Sequence, residues 1–142
     1  MERRVYRKLV EDRTIHSIEN EILCLKRASY YGIAPHIFYS DRLTYIDMER
    51  IDGKTVKELY GEEISAVPSH ILHNIFNLLE ILYYKAGVEY PDVNPRNFII
   101  KHNIIWTVNF SKARMVKVNV DMCTYLSDVF NKGKIHNWTT NI

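Results

Sequence analysis

Asp92 and Asn97 stand five residues apart in the segment Tyr90-Pro91-Asp92-Val93-Asn94-Pro95-Arg96-Asn97. The segment is polar, carries two prolines and lies between apolar runs. A loop held between rigid elements is a place where side chains meet a ligand. Phosphoryl transfer needs a carboxylate near the attacking hydroxyl and oxygen ligands for magnesium. One Asp and one Asn on such a loop supply both, with Asp92 as the catalytic carboxylate and Asn97 as a metal ligand. The same residues also suit a structural turn beside Pro91 and Pro95, so the loop alone leaves two readings open. A second polar group, Asn109-Phe110-Ser111, closes an apolar run twelve residues after Asn97. That spacing is harder to explain as two unrelated turns.

The elements that must position these residues follow from periodicity. Val5 to Val10 is rich in strand formers. From Thr14, the residues Ile15, Ile18, Ile22, Leu25 and Ser29 form one helical stripe with Glu19 and Glu21 on its flanks, and Gly32 is placed to end it. His36 to Tyr39 and Leu43 to Ile51 read as strands joined by Ser40-Asp41-Arg42. Asp52-Gly53 is a turn, and Thr55 with Glu58 makes a capping box for a short helix to about Tyr60. Ile71, Leu72, Ile75, Leu78, Leu79 and Leu82 predict a long helix ending at Gly87. Phe98 to Ile100 and Ile104 to Val108 predict a hairpin around Lys101-His102-Asn103, and a last helix is expected between Val120 and Asn131. The fold class is therefore α+β, in a single domain.

Composition excludes several function classes. A length of 142 residues with 46% hydrophobic content suits one domain with a core. A net charge of +2 without a polybasic run offers no case for nucleic acid or a membrane surface, and Arg3, Arg4, Arg7 and Lys8 read as a solvated terminus. Cys24 and Cys123 lack metal or redox spacing and read as core residues of a protein in a reducing compartment. His70 and His73 share a helix face without a third ligand nearby. Without a signal-peptide pattern or a transmembrane-length run, a soluble, cytoplasmic protein is expected.

From Asp92 onward the loop agrees with the protein-kinase catalytic-loop pattern H-R-D-L-x-x-x-N, with Val93 for Leu. The stretch from Glu21 to Arg114 resembles the small atypical kinases, meaning the RIO type and the kinase of the KEOPS complex, and also the aminoglycoside phosphotransferases. The shared features are Glu-x-x-x-Leu, Gly-Ile-x-Pro, a hinge with Gly, Asp-x-x-x-x-Asn and x-Phe-Ser. The resemblance implies a minimal kinase-like fold: a reduced small lobe and hinge over 1–51, and a truncated helical large lobe with the catalytic-loop hairpin over 52–142. It implies ATP with magnesium as cofactors, and a hinge at Met48, Glu49 and Ile51 whose backbone bonds the adenine edge. It implies a phosphate-contacting lysine at Lys8 (with Arg7 as the competing choice) paired to Glu21 (with Glu19 competing). Asn109 falls where the family places a metal-binding Asp.

Four departures bear on activity. No G-x-G is present among the five glycines, so the loop that covers the phosphates is expected to be missing. Tyr90 and Pro91 replace His and Arg, Asn109 replaces Asp, and little of a substrate-binding helical part is expected after Arg114. Weak or absent binding of ATP and magnesium is the consequence. The expected function is a pseudokinase that binds and modulates a partner protein, a true kinase among the candidates, through an apolar edge. The alternatives are a minimal ATP-dependent kinase of weak activity, acting on protein or small molecule, and an unrelated α+β binding domain.

Overall fold

A computed structural model describes residues 4–117 of the chain. The expected helix between Val120 and Asn131, and Cys123 with it, lie outside the described residues. Three antiparallel strands, β1 (Val5–Leu9), β2 (Ile37–Ser40) and β3 (Tyr45–Glu49), form a sheet in the order β1-β3-β2. Between β1 and β2 runs α1 (Ile15–Ser29), whose N-cap Thr14 accepts a hydrogen bond from the Ser17 N–H at 3.1 Å. The turn before β3 is longer than its residue types suggested. Asp41 Oδ1 accepts the N–H groups of Leu43, Thr44 and Tyr45, so the strand expected from Leu43 starts at Tyr45. The Thr44 hydroxyl and these N–H groups hold the Asp41 carboxyl well below the usual range.

After β3 the chain makes β4 (Lys54–Thr55) and then α2 (Val56–Tyr60), which starts with the expected capping box between Thr55 and Glu58. Within that box the Thr55 N–H, donating to Glu58 Oε1 at 2.9 Å, holds the Glu58 carboxyl below its ordinary value. The long apolar stripe forms α3 (Ser69–Glu80), but Ile81–Ala86 is wound as a π-helix before Gly87 ends it at φ 70°. The same apolar positions serve either winding, so periodicity could not tell them apart. β5 (Val88–Glu89) leads into the loop, and β6 (Phe98–Lys101) and β7 (Ile104–Thr107) form the expected hairpin. His102 and Asn103 both take positive φ, the backbone of a tight hairpin turn. β8 (Arg114–Met115) pairs with β5, and β4 pairs with β6. Neither two-residue pairing was expected, because segments so short carry no alternation.

The architecture is mixed α+β with small antiparallel sheets. Ile18, Ile22, Leu25 and Ala28 of α1 join Ile75, Leu79 and Leu82, together with Tyr90, Phe98 and Phe110, in one buried cluster. Among the described residues, no helix is long and apolar enough to cross a membrane. The basic segment near the start is not simply solvated from Arg4 on. Arg4 pairs with Asp52, Arg7 with Asp47 and Lys8 with Glu21, because residues 5–9 are a sheet strand.

Gly53 is required by close approach. A Cβ there would lie 2.4 Å from the Ile100 carbonyl oxygen, where β4 and β6 begin to pair. Gly53→Ala is expected to destabilise the fold by about 1–3 kcal/mol in urea unfolding. Thr107 presents the opposite case, since its hydroxyl is buried without a hydrogen-bond partner among the described residues. Thr107→Val should leave stability unchanged or raise it by about 1 kcal/mol in the same measurement.

Candidate functional site

A cleft of about 400 Å³ opens between the β1-β3-β2 sheet, α1 and the β6-β7 hairpin. Its lining includes Lys8, Glu21, Met48, Glu49, Ile51 and Asn109, residues drawn from segments far apart in the chain. Asp92 and Asn97 do not line it; they are 8% and 5% exposed.

Successive residues of a strand point to opposite faces, which separates Arg7 from Lys8. Arg7 makes two hydrogen bonds to Asp47, at 2.7 and 2.8 Å, and lies over the Tyr45 ring. That guanidinium holds the Asp47 carboxyl below its usual value. Lys8 turns into the cleft, where its Nζ donates to Glu21 Oε2 at 2.5 Å and to Asn109 Oδ1 at 3.1 Å. Glu21 is not on the flank of α1 as expected: it is 1% exposed, whereas Glu19 is exposed. A buried carboxylate needs compensation. Glu21 has two cations, because Arg13 donates to its other oxygen while also bonding Ser17 Oγ at 2.9 Å. Sequence reasoning missed Arg13, although the Arg13-x-x-x-Ser17 spacing across a helix start was available.

The backbone of the segment expected as a hinge is engaged at two consecutive residues. Glu49 N–H donates to the His36 carbonyl at 2.7 Å, and Arg50 N–H to the Arg4 carbonyl at 3.0 Å. Opposite it, Asn109 adopts φ 64°, a conformation Asn tolerates better than most residues. Asn109 Oδ1 accepts from Ser111 Oγ at 2.8 Å and from Ser111 N–H at 3.4 Å.

Tyr90 connects this turn to the Asp92 loop. Its hydroxyl lies 2.5 Å from the Val108 carbonyl oxygen and 3.0 Å from that of Asn109, and its ring packs edge-on against Phe110. The Val108 N–H in turn donates to the Asn97 carbonyl at 2.9 Å. Within the loop, Asn94 Nδ2 donates to Asp92 Oδ1 at 2.9 Å and Asn97 Nδ2 to the Asp92 carbonyl at 2.8 Å. The three polar residues therefore hold each other, and the Pro95–Asn97 turn is a single 3₁₀ turn.

The donor set does not suit magnesium. The residues expected to hold it, Asn97 and Asn109, are both neutral amides, and the carboxylate of the same loop, Asp92, was expected as the catalytic group. The Asn109 oxygen already accepts from Lys8 and Ser111. A small hard cation prefers charged oxygens that are free to coordinate.

No protein-family model matches the chain. Over 63 residues, 43% of its length, the chain is 32% identical to a probable serine/threonine-protein kinase of Streptomyces coelicolor. The match spans 9% of that protein. This is a partial likeness to a kinase.

Glu21→Gln leaves Lys8 and Arg13 without their shared counter-charge, and should destabilise the protein by about 3 kcal/mol. Glu19→Gln should stay within about 0.5 kcal/mol of the native chain. Equal urea midpoints for the two variants would show that Glu21 does not carry this role.

Proposed function

We propose that the chain is a kinase-like protein whose cleft receives a nucleotide and whose phosphotransferase site is degenerate, a pseudokinase that acts on a partner protein. The Lys8–Glu21 pair at 2.5 Å, inside the cleft and in reach of Asn109, carries this reading. A lysine fixed by a buried carboxylate is a preorganised phosphate ligand, and Met48 and Ile51, which line the same cleft, offer an apolar surface to a base. Phosphoryl transfer depends on positioning and charge neutralisation. Here Lys8 is held in position by Glu21, while the residues that would hold the metal lack charge. The resemblance to RIO-type and KEOPS-type kinases and aminoglycoside phosphotransferases, and the division into a small lobe over 1–51 and a larger one over 52–142, belong to the same reading. So does the partial likeness to a probable serine/threonine kinase.

The partner-binding half of the proposal rests on β1. It pairs with β3 on one side, and Val5 and Leu9 on it are 48% and 65% exposed. An apolar strand edge of this kind is a docking surface for another chain. A weak phosphotransferase is the second reading, supported by the Asp92 loop being stitched to the Asn109 turn through Tyr90 and Val108.

Saturating ATP should raise the thermal midpoint of the native chain by about 2–4 °C, corresponding to roughly 1 kcal/mol of linkage. Lys8→Met should abolish the shift. An unchanged midpoint in the native chain would sink nucleotide binding. Phosphoryl transfer to the chain itself or to a generic acceptor, lost in Asp92→Ala, would replace the pseudokinase reading with the enzyme.

A further inference from the structure

We infer that the cleft takes its nucleoside phosphate free of a divalent cation, with Asn109 acting as a direct hydrogen-bond donor to phosphate oxygen in place of a metal ligand. The inference rests on the proposed nucleotide-binding reading of the cleft. The orientation of the Asn109 amide is settled by its neighbours. A Lys8 ammonium and a Ser111 backbone N–H are donors only, so the amide atom that faces them is the oxygen. Its two lone pairs are taken up by Lys8 Nζ at 3.1 Å and Ser111 Oγ at 2.8 Å. The other half of the amide is Nδ2, a donor that no other described residue engages. A cation is repelled by such a group and an anionic oxygen is attracted to it.

The remaining candidate ligands do not restore a metal site. Asn97 spends its amino group on the Asp92 carbonyl and keeps one neutral oxygen. Asp92 Oδ1 accepts from Asn94 at 2.9 Å, and the residue is buried and does not line the cleft. A carboxylate at position 109 would repel phosphate unless a metal bridged them. An amide there removes the repulsion, and with it the need for the bridge. Lys8, already oriented by Glu21, supplies the positive charge.

The test is titration of the full chain with ATP, once in EDTA and once in excess magnesium, followed by calorimetry or thermal shift. The native chain should bind ATP with affinities that agree within about threefold under the two conditions, whereas Asn109→Asp should bind roughly tenfold or more weakly in EDTA and recover in magnesium. Native binding that appears only with magnesium would overturn this inference and leave the nucleotide-binding reading intact. Absence of binding under both conditions would overturn both. The comparison on the native chain decides the matter even where the variant folds poorly.

Discussion

A carboxylate with almost no exposure to water cannot remain in a small protein unless cations come to it, and Glu21 brings two from different parts of the chain. Lys8 is carried by β1 and Arg13 by the turn that follows, so the charge requirement of one side chain sets the distance between sheet and helix. Lys8 also reaches Asn109, which extends the same restraint to the end of the β6-β7 hairpin. α1 is held on further sides by Asn20 Nδ2, which donates to the Ala113 carbonyl at 2.8 Å, and by Cys24 Sγ beside Met115 Sδ. Burial pushes the Cys24 thiol up to about 11, consistent with a thiol used for packing. The cleft walls are thus fixed relative to each other by a few polar contacts around α1.

Tyr90 does the corresponding work on the other wall. One phenol both packs against Phe98 and Phe110 and meets the carbonyls of Val108 and Asn109. It joins an apolar core to a turn of unusual backbone conformation, as large amphipathic side chains do well. Shape and charge are consequently separable at this site. The shape depends on packing and neutral hydrogen bonds, and it persists with an amide where a carboxylate would have supplied charge. The proposal of a nucleotide pocket with impaired chemistry follows from that separation.

Much of this was legible along the chain. The Thr55-Glu58 box, the α3 stripe and the hairpin around His102-Asn103 appeared where residue types and period placed them, because each is decided by neighbours within a few residues. Tertiary contacts moved the boundaries. Asp41 took the N–H groups that would have begun β3 two residues earlier, and the β4-β6 and β5-β8 pairings needed partners more than twenty residues away.

The candidate site divides the same way. Residue types alone set which groups could hold phosphate or metal, and that Asn109 lacks a carboxylate's charge, since charge is a property of the side chain itself. Only the folded structure decided that Lys8 rather than Arg7 enters the cleft and that Glu21 rather than Glu19 meets it, together with Arg13. The fold likewise buried Asp92 and Asn97 and left them out of the cleft lining. Those outcomes turn on which face of a strand or helix is buried, and on which side chains compensate a charge in the core. A linear reading leaves both open, because the compensating partners are brought together by packing and not by spacing.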